Sequence, residues 1–254
     1  METASMSSII DIPESVWVIL STKKLYFGHQ SVGNNILDGV RKIMAENRRI
    51  KLNIVETDDP GKFDRAIWAH SLIGENGDPA SKLKAFKANI QKGIGNKADI
   101  VFFKFCFWDI RSHTDINKVF NDYKTTLDKM KKEFPHLKFI HFTVPLIEYP
   151  DGWVVRARRM LGMPVGFDED NIKRNELNKL ILENYSGKEP VVDIALLEST
   201  LPDGKRVFFL KGGRSYPYLA SVYTSDGGHL NEEGRRRVAE QVLIVLARIA
   251  ETES

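Results

Sequence analysis

Short apolar or β-branched runs alternate with longer segments of helical period along almost the whole chain, and this alternation constrains the fold most. Strands are expected at 24–27 (KLYF), 51–56 (KLNIVE), 99–105 (DIVFFKF), 137–143 (LKFIHFT) and 190–194 (PVVDI). Helices are expected between and after them, at about 31–47, 81–93, 115–134, 169–185 and 231–251. Strand–helix–strand repetition of this kind builds a mostly parallel sheet covered by helices on both faces. "DIVFFKF" and "KFIHF" suit central strands buried on both sides. The expected architecture is an α/β protein, a three-layer α/β/α sandwich of about five parallel strands. No repeat, low-complexity tract or Pro/Gly/Ser-rich linker divides the 254 residues, so 1–254 reads as one domain.

Ligands of such sheets bind at the carboxyl ends of the strands. Those ends are followed here by "GHQSVG", "CFWDI" and "TVPLIEYP", while the longer irregular stretches 57–80 and 145–168 can cover the same edge. A third irregular stretch, 199–228, holds "RVFFLKGG", which suits a short hairpin. In "KLYFGHQSVGNN" the chain leaves the first strand and opens a helix at Ser31. A serine in that place is either a helix cap or a nucleophile. Capping needs only its hydroxyl on the first free N–H groups. A nucleophile, or a bound phosphate, gains from the positive end of the helix beside it. Gly28 and Gly33 allow close backbone approach.

About 200 residues later, "YTSDGGHLNEEG" sets Asp226 and His229 in a loop before the last helix, with Asn231 as its cap. D-x-x-H spacing brings a carboxylate onto one imidazole nitrogen and leaves the other facing outward. An acyl-transfer triad needs this, because the carboxylate sets the tautomer and stabilises the imidazolium. A phosphate-binding loop does not.

The early "FGHQSVG" and the late "SDGGHLNEEG" together resemble the SGNH hydrolase superfamily, the GDSL-type esterases. The blocks span residues 24 to 234, nearly the whole chain. The resemblance implies a flavodoxin-like α/β/α sandwich, with Ser31 as nucleophile, His229 as general base and Asp226 as the residue that orients it. It also implies Gly74, in a loop after the second strand, as an oxyanion donor. Two departures stand out. The first block reads Gly28-His29-Gln30-Ser31, and the third keeps Asp109 but has Trp108 where the family carries an asparagine. Asn76 in "GENGDP" is then the candidate third donor, its alternative being a simple Asn-Gly turn; Trp108 and Asp109 fall to the oxyanion or substrate-binding set. The implied activity is removal of a small acyl group, such as acetyl, from a hydroxylated substrate such as a carbohydrate, through an acyl-enzyme. Acyl transfer to another acceptor, and ligand binding without catalysis, are the alternatives.

Composition excludes other classes. With 37 basic and 34 acidic residues, the net charge of +3 is too small to indicate nucleic acid or an anionic membrane as partner. A single Cys106, inside "IVFFKFCFW", leaves neither an intramolecular disulfide nor a multi-cysteine zinc site and reads as a buried structural thiol. The histidines show no i, i+4 pair beside a carboxylate, so neither metal nor cofactor is implied. His29 and His70 are candidates to line the site, and Arg156, Arg158 and Arg159 to meet an acidic substrate. The run "VWVIL" at 16–20 is too short for a signal segment and has no basic stretch before it, so the sequence as given reads as cytoplasmic. The oligomeric state is not legible.

Overall fold

In the computed structural model, which describes residues 8–150, 152–161, 163 and 165–252, six strands form one parallel sheet. They are β1 (Lys24–His29), β2 (Ile54–Glu56), β3 (Ile67–Leu72), β4 (Ile100–Phe103), β5 (Lys138–Phe142) and β6 (Val191–Val192), in spatial order β2-β3-β1-β4-β5-β6. The helices are α1 (Glu14–Ser21), α2 (Ser31–Glu46), α3 (Pro79–Gln91), α4 (Ile116–Glu133), α5 (Trp153–Met160), α6 (Gly166–Tyr185), α7 (Ile194–Ser199) and α8 (Glu232–Thr252).

Strand alternation sends successive side chains to opposite faces, and here each face has its own core. Leu25, Phe27, Ile100 and Phe102 point toward α1, α2 and α8, where Trp17, Ile36, Val40, Val242 and Leu246 meet them. Tyr26, Val101 and Phe103 point the other way, toward Phe86 of α3, Tyr123 of α4 and Leu177 of α6. Both sides of the middle strands are therefore dry, which explains their unbroken apolar runs. The three-layer α/β/α expectation holds.

The structure adds elements that the sequence reading lacks. The sheet has six strands, because the stretch 57–80 contains β3. This strand pairs with β1 along Lys24↔Ile67 to His29↔Leu72 and with β2 on its other side. Gly74 accordingly follows the third strand. The apolar run at 16–20 belongs to α1, whose Val16, Trp17 and Leu20 are buried against the sheet. The expected hairpin forms as β7 (Phe208–Lys211) and β8 (Arg214–Pro217), turning on Gly212 and Gly213, both at positive φ. Residues 145–168, read as irregular, contain α5.

Strand order fixes where a ligand can sit. The chain leaves β1, fills β2 and β3 on one side of it, and then crosses to β4 on the other. Loops after β1, β3 and β4 thus diverge at one edge, the switch point at which open α/β sheets bind ligands.

Candidate active site

Three segments far apart in sequence meet at that edge. The turn after β1 places Gln30 in extended backbone ahead of α2, and Ser31 is the first helical residue. Gln30 makes no capping bond with its side chain; its Nε2 donates instead to the carbonyls of Ile73 and Gly74, both at 2.9 Å. Ser31 is not the cap either. Its Oγ lies 3.0 Å from Nε2 of His229, across 198 residues of sequence.

The His229 loop is held from several directions. Asp226 Oδ1 accepts the backbone N–H groups of Gly228 (2.9 Å) and His229 (2.7 Å), while Oδ2 lies 2.7 Å from His229 Nδ1. Thr224 Oγ1 donates to the His229 carbonyl at 2.7 Å. Asn35 of α2 accepts the Leu230 N–H at 3.2 Å, which ties the loop to the helix that carries Ser31. Gly228 packs tightly: a Cβ there would come 3.0 Å from the ring of Phe107, which would have to give way, and the edge-on neighbour of that ring is the His229 imidazole at 5.6 Å. Asn231 caps α8 through a 3.1 Å bond from Gly234 N–H.

The charges follow from these contacts. Partial burial pushes the Asp226 carboxyl up, but the two backbone N–H donors and the His229 ring outweigh it and bring the pKa down to about 2. A carboxylate on Nδ1 fixes the proton there and leaves Nε2 as acceptor for the Ser31 hydroxyl.

Gly74 sits at φ +56°, with Lys82 backbone so close that a Cβ would fall 2.6 Å from its N atom. Both the conformation and the contact demand glycine. Asn76 is exposed, and its Oδ1 accepts from Lys82 Nζ at 3.0 Å; its Nδ2 donates to no described residue. Asp109 differs from its sequence expectation. It lies buried beneath the loop, bonded to Lys82 Nζ at 2.6 and 2.8 Å and to the N–H groups of Cys106 (2.6 Å) and Gly77 (3.0 Å). It fastens the 74–78 loop to the 106–109 turn and has no side-chain surface left for a ligand. Trp108, the neighbouring residue, is 45% exposed, with the Arg111 guanidinium 4.5 Å over its ring.

A cleft of about 490 Å³ opens beside His229, walled by Phe107, Trp108, Ile147, Pro150 and Phe167, with Glu148 and Asp226 at its polar end. Glu148 accepts from the Ser221 hydroxyl, and its N–H bonds the Gly227 carbonyl at 2.8 Å. The 107–112 wall is fixed by α6: Arg174 Nε donates to the Phe107 carbonyl at 2.9 Å, and Asp170 accepts from Arg111 Nε and Ser112 N–H, both at 2.7 Å.

His29 and His70 lie under the site and do not line it. Each is buried, and His29 Nε2 is 3.0 Å from His70 Nδ1. His29 Nδ1 faces the Gln30 carbonyl at 2.9 Å, which makes His70 the donor to His29 Nε2. Desolvation lowers the His29 pKa to about 3, against the Gln30 bond and with help from His70, Lys104 and Arg41. Gly33 packs directly on this ring. Among the described residues no three His, Cys, Asp or Glu side chains cluster as a metal site requires. Cys106 is buried, as expected.

No family model and no curated protein matches the sequence. Solved structures do share the fold. A GDSL-like lipase from Bacteroides thetaiotaomicron VPI-5482 superposes with a TM-score of 0.55 at 14% identity, over 91% of this chain and 89% of that one. A protein of Desulfitobacterium hafniense DCB-2 assigned to the lipolytic G-D-S-L family gives 0.50 at 11% identity, over 88% and 99%. The chain therefore has the α/β fold seen in these GDSL-like proteins, and at such identities the likeness concerns the fold alone.

Proposed function

We propose that this chain, built on the fold of GDSL-like proteins, is a serine esterase that works through an acyl-enzyme. One observation carries the reading: Ser31 Oγ, His229 Nε2 and His229 Nδ1 with Asp226 Oδ2 form a continuous hydrogen-bonded line, at 3.0 and 2.7 Å, at the strand edge where ligands bind.

His229 Nε2 takes the Ser31 proton as Oγ attacks the ester carbonyl carbon. Asp226, held anionic, stabilises the imidazolium that results. Negative charge developing on the carbonyl oxygen is received by the backbone N–H groups of Ser31 and Gly74, next to the positive end of α2. Asn76 Nδ2 is the third donor, its carboxamide oriented by Lys82. Collapse of the tetrahedral intermediate breaks the bond to the alcohol, which leaves with the proton from His229. The acyl group remains on Ser31. Water, deprotonated by His229, then releases the acid and restores the serine.

The aromatic wall of the cleft packs equally well on the C–H face of a sugar or on an alkyl chain, so a small acyl ester of a hydroxylated substrate such as a carbohydrate fits this reading. Turnover of p-nitrophenyl acetate tests it. The wild-type chain releases p-nitrophenol, and a folded Ser31→Ala variant does not. Release undiminished in Ser31→Ala removes Ser31 from the reaction.

A further inference from the structure

Helix α5 carries its apolar side chains outward. Trp153 is 83% exposed, Met160 88% and Leu161, directly after the helix, 75%, with Val154 also exposed. At about 100° per residue, Trp153, Val154, Ala157, Met160 and Leu161 share one sector of roughly 120°. Arg156 and Arg158 border that sector on its two sides, and Val155, on the opposite side, is half-buried against the protein. The Arg159 side chain lies outside the described residues. Farther along the chain Met163 and Phe167 are exposed as well, and Phe167 is also a wall of the cleft beside His229.

A buried helix needs no outward Trp, and a solvated one gains nothing from an exposed Met–Leu–Trp sector. The arrangement has the composition of a helix that lies in the plane of a lipid surface, with apolar groups in the acyl boundary and arginines at headgroup level. We propose that α5 docks the protein onto an anionic lipid bilayer, which sets the mouth of the cleft against the membrane. The small net charge does not oppose this, because the two arginines stand locally on the docking face. No helix among the described residues is long and apolar enough to cross a membrane, so the contact is peripheral. A second copy of the chain is the poorer occupant, since a two-fold pairing of α5 would bring Arg156 and Arg158 against their own counterparts. Delivery of a membrane-borne ester into the cleft rests on the esterase reading above; the docking does not.

The test is co-sedimentation of the full chain with vesicles of phosphatidylcholine alone or mixed with phosphatidylglycerol. Binding is expected on the mixed vesicles and to weaken with added salt. Arg158→Glu should lower partitioning onto mixed vesicles by about fivefold or more, because each basic group near an anionic leaflet contributes about that factor. The triple variant Trp153→Ser, Met160→Ser, Leu161→Ser should lower it by well over tenfold, with an unchanged far-UV spectrum and unchanged p-nitrophenyl acetate turnover. Absence of wild-type binding to mixed vesicles overturns the proposal. So does binding that survives the triple variant. A vesicle-free dimer in light scattering that the triple variant dissociates, without vesicle binding, reassigns the face to a second copy. Vesicle binding that follows the expected pattern in a chain with no esterase turnover leaves docking standing and removes the esterase reading alone.

Discussion

Replacing Lys82 by methionine should damage the protein far more than the loss of one lysine from the polar-looking helix "PASKLKAFKANIQ" suggests. The Lys82 and Asp109 side chains have no exposed surface, and the ammonium sits 2.6 and 2.8 Å from the two carboxylate oxygens. Removing one partner of a buried pair strands the other charge without water, at a cost of about 3–5 kcal/mol. Asp109 keeps its bonds from Cys106 and Gly77 N–H, which places the expected loss toward the lower end of that range. For a domain of this size the melting temperature should fall by roughly 6–12 °C. Urea unfolding followed by far-UV circular dichroism measures the loss directly. Lys82→Met combined with Asp109→Asn should recover part of it, because the stranded charge is gone. Activity should fall in the single variant as well, since the pair fastens the loop that carries Gly74 and Asn76. A single variant within about 1 kcal/mol of wild type would refute the account of this pair as the fastening under the site.

Asn76→Ala should lower kcat for p-nitrophenyl acetate by about 10²–10³ with little change in KM, as expected of an oxyanion donor; an unchanged kcat would limit the donors to backbone N–H groups. Asp226→Asn should lower kcat steeply without unfolding the chain, because the amide removes the acceptor that fixes the His229 tautomer; near-full activity in this variant would contradict that orienting role. Stability should fall as pH drops from about 6.5 toward 3. His29 has a folded pKa of about 3, below its unfolded value, so the unfolded chain binds the proton first. The slope from this group is at most about 1.4 kcal/mol per pH unit, and His29→Asn should flatten it; a wild-type profile flat across that window would show that His29 is not buried neutral.

Much of the fold is legible because β1, β4 and β5 carry apolar runs that their two dry faces require. β3 escaped such a reading. "IWAHSL" is interrupted by His70 and Ser71, and it is a strand because β1 and β2 pair with it on both sides and His70 finds His29 in the interior. Local sequence records neither fact. Ser31, Asp226 and His229 are legible as a candidate set because acyl transfer would need those residue types at strand and helix ends, and the fold brings the three within hydrogen-bond distance. Asp109 was misplaced because its partner is a lysine 27 residues earlier, on a helix whose pattern gives no sign that one of its lysines is buried. Gln30 looked like a departure from a motif, yet it fastens the turn to the Gly74 loop. Its role depends on two carbonyls that only the folded sheet edge presents.

The central claim is that Ser31 is a nucleophile activated by His229. Reaction of the folded chain with a fluorophosphonate probe, followed by mapping of the labelled peptide, tests it most directly. The label should fall on Ser31, disappear in Ser31→Ala and form far more slowly in His229→Ala. A folded chain that takes no label, or takes it at another residue with Ser31 unmodified, would contradict the claim.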